Sequence, residues 1–191
     1  EIYTLSLHDA LPISSWTIDG IPAAIGMHPS PLPVGRGRAP IPWTILKQLK
    51  KTALTVFLLD DEADSGPIVA RYPFTVPPNS TSSDLFRIFQ ALHYSAGEGL
   101  AQCIANWKFA THKQDEALAT RWLKRLPEDS CILPGMTIAE AMLLVRAARS
   151  PYPQAYIETP IGKRVIHVLE RAPTARTKGR IQLNDGELWY Y

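Results

Sequence analysis

Two apolar runs, at residues 21–27 and 53–59, constrain the fold of this chain more than any other feature. Both are rich in Ile, Val, Leu and Ala without strict alternation, the pattern of strands buried on both faces. Between them, residues 42–51 read as a helix, with Trp43, Ile45, Leu46 and Leu49 apolar and Lys47, Lys50 and Lys51 solvated. Strand, helix, strand predicts a parallel pair joined by a right-handed crossover. A polar group follows each run, His28 after the first and Asp64 after the second, so both are expected at the ligand-binding edge of the sheet.

The loop after His28 carries Pro29, Pro31 and Pro33, each fixing φ and pushing its predecessor toward extended geometry. Such stiffness suits a segment that must hold one side chain in place. Gly35-Arg36-Gly37-Arg38 follows; glycines in a tight turn with solvated arginines are the expectation, a phosphate cradle the sharper alternative. Asp60, Asp61, Glu62 and Asp64 resemble a calcium loop only loosely, because Gly66 falls one place late and Arg71 stands where a bidentate Glu is needed. Calcium is rejected, no metal ligand set is assigned, and magnesium-dependent phosphotransfer stays as a competing reading.

His28-Pro29-Ser30-Pro31-Leu32-Pro33, then Arg36-Gly37-Arg38-Ala39-Pro40-Ile41-Pro42-Trp43, then Leu59-Asp60 and Asp64-Ser65-Gly66-Pro67-Ile68 together resemble the 10-formyltetrahydrofolate-dependent formyltransferases. That family includes methionyl-tRNA formyltransferase and the amino-sugar N-formyltransferases. The resemblance is dense over 26–76 and thinner over 121–129 and 145–155. It implies an α/β, Rossmann-like formyltransferase domain, here with a small C-terminal β-rich appendage. It implies His28 and Asp64 as catalytic residues, and the loop Asp60, Asp61, Glu62 and Ala63 as the part that contacts the pterin of the donor, 10-formyltetrahydrofolate. The acceptor would be a primary amine on methionyl-tRNA or on an amino-sugar nucleotide.

The chemistry fits those residues. Moving a formyl group to an amine passes through a tetrahedral adduct with an anionic oxygen, which needs a donor aimed at that oxygen and a base for the amine proton. A carboxylate beside His28 is expected to favour the imidazolium, with His28 as oxyanion donor and Asp64 as proton acceptor. One departure stands out: the resembled family has an Asn two positions before the His, and Gly26 is there in this chain. Loss of an oxyanion donor costs about 100–1,000-fold in turnover. The competing reading is a catalytically inactive formyltransferase-like fragment or binding module.

A chain of 191 residues holds one ordinary domain, or one and a small appendage. Residues 1–15 resemble translated sequencing-adapter reads and match nothing in the formyltransferases. They are expected to be a non-native leader on an N-terminally truncated chain. The expected organisation continues with the C-terminal half of a catalytic domain at 16–112, a connecting segment with a helix at 113–154, and a β-rich unit at 155–191. Thr81 to Asp84 reads as a capping box opening a long amphipathic helix that Gly97 and Gly99 are expected to kink or split, and residues 112–127 read as a polar surface connection. A second amphipathic helix is expected over 137–150 with Ile138, Met142 and Val145 inward, and Asn184-Asp185-Gly186 marks a hairpin turn. A net charge of +2 is uninformative about nucleic acid, although Lys163, Arg164, Arg171, Arg176, Lys178 and Arg180 make the tail basic. No apolar run reaches membrane-span length, and the two cysteines, Cys103 and Cys131, read as reduced thiols, so a cytoplasmic protein is expected.

Overall fold

The computed structural model describes residues 24–106 and 110–191; the expected leader and positions 21–23 of the first apolar run lie outside them. The described chain is mixed α/β and divides into two units.

The first unit draws on residues up to Pro40, on Lys50–Val76 and on Arg87–Lys124. Its elements begin with β1 (Ile25–His28) and β2 (Arg36–Gly37), and α1 (Pro40–Leu46) follows at its boundary. Next come β3 (Lys51–Leu58), β4 (Ile68–Thr75), the long helix α2 (Ser82–Asn106), which both units share, and β5 (Arg121–Trp122). β3 is the central strand of a sheet ordered β1-β3-β4, buried without a break from Thr52 to Phe57. The buried run was legible, but its direction was not. β1 lies antiparallel to β3, His28 facing Thr55 and Ile25 facing Leu58, which overturns the expected parallel crossover. The physical reason lies in the connection. α1 has seven residues, a rise of about 10 Å, too short to carry the chain back along a strand of eight.

α1 ends early because Gln48 takes a left-handed φ of 51°. Leu49 N–H returns to the Thr44 carbonyl and Gln48 N–H to that of Ile45, a Schellman closure. Lys51 consequently opens β3 instead of extending the helix. α2 runs unbroken through Gly97 and Gly99, so it is not split there. Its N-terminus is capped as the sequence predicts, with Thr81 N–H and Oγ1–H donating to Asp84 and Asp84 N–H returning to Thr81 Oγ1. Phe89 on α2 meets Phe74 on β4 edge to face, with centroids 5.2 Å apart.

The second unit comprises Ile41–Leu49, Pro77–Phe86 and Arg125–Tyr191. α3 (Ile138–Ala147) is held by a complete Thr137/Glu140 capping box and by Asp185 Oδ1, which accepts the Ile138 N–H at 2.7 Å. β6 (Tyr156–Thr159) and β7 (Gly162–Val165) form a hairpin, and β8 (Leu169–Glu170), β9 (Gly179–Leu183) and β10 (Gly186–Tyr190) form a sheet ordered β8-β10-β9. Asn184 to Gly186 turns β9 into β10 as expected, Gly186 adopting a φ of 147°. The core of this unit gathers Ala141, Leu144 and Val145 with Ile166, Ile181 and Leu188. Ile138 and Met142 are partly buried and pack against this core beside the buried Val145, on the inner side that the sequence predicts.

Candidate functional site

His28 is the last residue of β1 and is 3 % exposed. The proline loop that follows doubles back and is pinned to the sheet by Thr55. That hydroxyl donates to the Ser30 carbonyl at 2.6 Å and accepts the Leu32 N–H at 3.2 Å. Arg71 of β4 donates to the Leu32 carbonyl. The loop returns at Gly35, whose carbonyl accepts from His28 Nε2 at 2.8 Å. A carbonyl can only accept, so Nε2 carries the ring proton and Nδ1 is left as the open nitrogen.

Nδ1 faces Asp64 Oδ1 at 3.6 Å. Asp64 reaches it from the loop between β3 and β4, with a left-handed φ of 62°, and its Oδ2 accepts the Gly37 N–H at 2.8 Å. The two residues therefore meet, but through a fold-back of that loop and not through two parallel strand ends. Burial pushes the His28 pKa below its ordinary value; the Asp64 charge and the Gly35 carbonyl pull the other way and are outweighed. Burial thus opposes the imidazolium that the Asp64 carboxylate favours, and in the neutral ring the open lone pair is on Nδ1.

Gly35 and Gly37 have φ of 82° and 104°. A Cβ on Gly35 would come within 2.7 Å of the Trp122 ring, and one on Gly37 would collide with the Trp122 carbonyl. Arg36 between them is buried, not solvated as expected. Its Nε and Nη2 donate to Gln114 Oε1 at 3.0 and 2.8 Å, and its Nη1 and Nη2 form a two-point contact with Glu116 at 2.9 and 2.7 Å. That pairing raises the Arg36 pKa and lowers that of Glu116. Spoken for in this way, Arg36 does not cradle a phosphate. Gln114 was missed by sequence reading because it sits in a polar stretch, Thr111 to Asp115, that gave no sign of burial.

Asp60, Asp61 and Glu62 line an open cleft of about 530 Å³ together with Ser65, Pro67, Thr111, Lys113 and Glu116. Ala63 is exposed in the same loop. That volume is in the range of small-molecule sites. Among the described residues, no three His, Cys, Asp or Glu side chains come together as a metal site. Gly26, on the same face of β1 as His28, has the Phe57 ring and Leu59 where its side chain would be, 2.7 Å from an ideal Cβ.

Residues 13–102 match the formyl transferase family model. A methionyl-tRNA formyltransferase of Flavobacterium psychrophilum is 29 % identical over 147 residues, covering 76 % of this chain and 46 % of the relative. The chain therefore spans about half the length of that relative. Among solved structures, HypX from Aquifex aeolicus superimposes with a TM-score of 0.73 at 16 % identity, over 95 % of this chain and 35 % of HypX. The N-formyltransferase from Helicobacter canadensis, solved with folinic acid and dTDP-3-aminofucose, gives 0.64 at 22 %, over 87 % and 66 % of the two chains. The fold is that of the Rossmann-like formyltransferases. No described helix is long and apolar enough to cross a membrane.

Proposed function

We propose that this chain transfers a formyl group from a 10-formyltetrahydrofolate donor to a primary amine, with His28 and Asp64 as the catalytic pair. The observation that carries this reading is the Nδ1–Oδ1 approach of 3.6 Å, inside a segment whose sequence matches the formyl transferases. The donor supplies an activated formyl carbon. With Nε2–H committed to Gly35, the Nδ1 lone pair and Asp64 Oδ1 form an acceptor site for the proton that the attacking amine must lose. Once protonated, Nδ1 becomes a donor, stabilised by the carboxylate, for negative charge developing on the formyl oxygen; collapse of the adduct then breaks the bond to the folate nitrogen, which leaves as tetrahydrofolate with the proton taken from the amine. The cleft lined by Asp60, Asp61 and Glu62 is the proposed donor-binding site, with Ala63 in the same loop.

The acceptor is proposed as either methionyl-tRNA or an amino-sugar nucleotide, the two classes carried by the relatives. The test is formyl transfer from 10-formyltetrahydrofolate to each acceptor class side by side. His28→Ala and Asp64→Ala are each expected to abolish turnover; near-normal activity in both would sink the assignment.

A second reading, an inactive folate-binding module, is favoured by Gly26, whose side-chain position is filled by Phe57 and Leu59. It predicts folate binding without turnover on any amine.

A further inference from the structure

We propose that Gln114 is a positioning residue for the His28–Asp64 pair: its side-chain amide, oriented by the buried Arg36, holds the Asp64 backbone so that the carboxylate meets His28. The activity arm of this inference rests on the formyl-transfer reading; the geometric arm does not.

Gln114 is 4 % exposed, and both ends of its amide are engaged. Oε1 accepts from Arg36 Nε and Nη2. Nε2 donates to the carbonyls of Asp64 and Gly66, both at 2.8 Å. The sense of the amide follows from its partners, since a guanidinium only donates and a backbone carbonyl only accepts. Turned over, the group would set two donors against Arg36 and an oxygen against two oxygens.

What the amide holds is an unusual stretch of backbone. Asp64 has a left-handed φ, a conformation that a residue with a Cβ resists. Two residues on, Gly66 lies so near β3 that a Cβ there would collide with the Leu58 carbonyl. Such a turn persists when surrounding contacts over-determine it. One Gln114 nitrogen binds the carbonyls on both sides of Ser65. With the backbone fixed, Oδ2 falls on the Gly37 amide and Oδ1 on the His28 ring. Arg36 takes part twice over: its side chain orients Gln114, and its own peptide leads into the Gly37 N–H.

The test uses Gln114→Glu and Gln114→Ala in the full chain. The Glu variant keeps an acceptor for Arg36 and loses the donor, separating the positioning bond from the Arg36 contact. The first readout is the His28 imidazole followed by ¹⁵N–¹H NMR through a pH titration. In both variants its signals are expected to move, and the ring to protonate at lower pH than in the parent, because Asp64 is no longer held against Nδ1. The second readout is steady-state formyl transfer, where kcat is expected to fall about 100-fold while KM for the donor stays within about threefold. Folded variants with an unchanged His28 titration would overturn the proposal, whatever their loss of melting temperature. A parent chain that transfers no formyl group would remove the activity reading, and the imidazole titration would still decide the role of Gln114.

Discussion

The Gly37 amide donates to Oδ2 of Asp64 across 27 positions of sequence, at 2.8 Å. Two residues earlier the Gly35 carbonyl accepts a hydrogen bond from His28 Nε2–H, also at 2.8 Å. One short strand, β2, and the glycine before it thus set both members of the pair, and the parallel pairing of Arg36 with Arg121 and Gly37 with Trp122 sets that segment. Gly37→Ala should break this arrangement, because the new methyl meets the Trp122 carbonyl at a φ that favours glycine. The expected loss of stability exceeds about 1 kcal/mol, read by thermal unfolding, with loss of the proposed formyl transfer in the surviving folded protein.

Burial holds His28 below its ordinary pKa of 6.5 in the folded chain. The unfolded chain therefore binds the proton more readily, and acid favours unfolding. The contribution is fully present above pH 6.5 and is lost as pH falls from there through the folded value. Unfolding free energy measured between pH 7.5 and about 5 should decline, and His28→Asn should flatten the decline. An equally steep slope in His28→Asn would assign it to other groups.

Gly26→Asn tests how firmly Phe57 and Leu59 occupy the space beside it. Overpacking there should cost about 1–3 kcal/mol. Combining it with Phe57→Ala should recover part of that cost, a coupling above about 0.5 kcal/mol in a double-mutant cycle. Strict additivity would mean that Phe57 does not block the position.

Thr137→Ala removes one half of the α3 capping box and should cost about 1 kcal/mol. Asp185→Ala leaves the Ile138 N–H without its acceptor at the same helix end. The two should be non-additive, because they share one helix terminus; chemical denaturation of the four proteins checks this.

Local signals in the sequence were reliable wherever a few neighbouring residues decide the outcome. The Thr81–Asp84 box and the Asn184-Asp185-Gly186 turn form where the sequence places them. The approach of His28 to Asp64 was also anticipated, although the strand geometry offered for it was wrong. Apolar runs report burial on two faces and carry no arrow, so 53–59 could not tell a parallel neighbour from an antiparallel one. Arg36 and Gln114 were illegible for a different reason. Each is polar among polar neighbours, and their burial follows from a mutual contact spanning 78 positions, which no window of sequence contains.

The pairing of β2 with β5 bears on how the chain can be divided. The family match ends at residue 102, yet Gln114, Thr120 and Trp122 lie beyond it and support the segment that carries Gly35 and Gly37. A shortened chain stopping at 102, or at 112, would retain His28 and Asp64 and lose what fixes them. The smallest autonomous unit worth grafting, permuting or recombining therefore extends to at least residue 122. Crossovers between relatives placed upstream of it would exchange one half of the same machine.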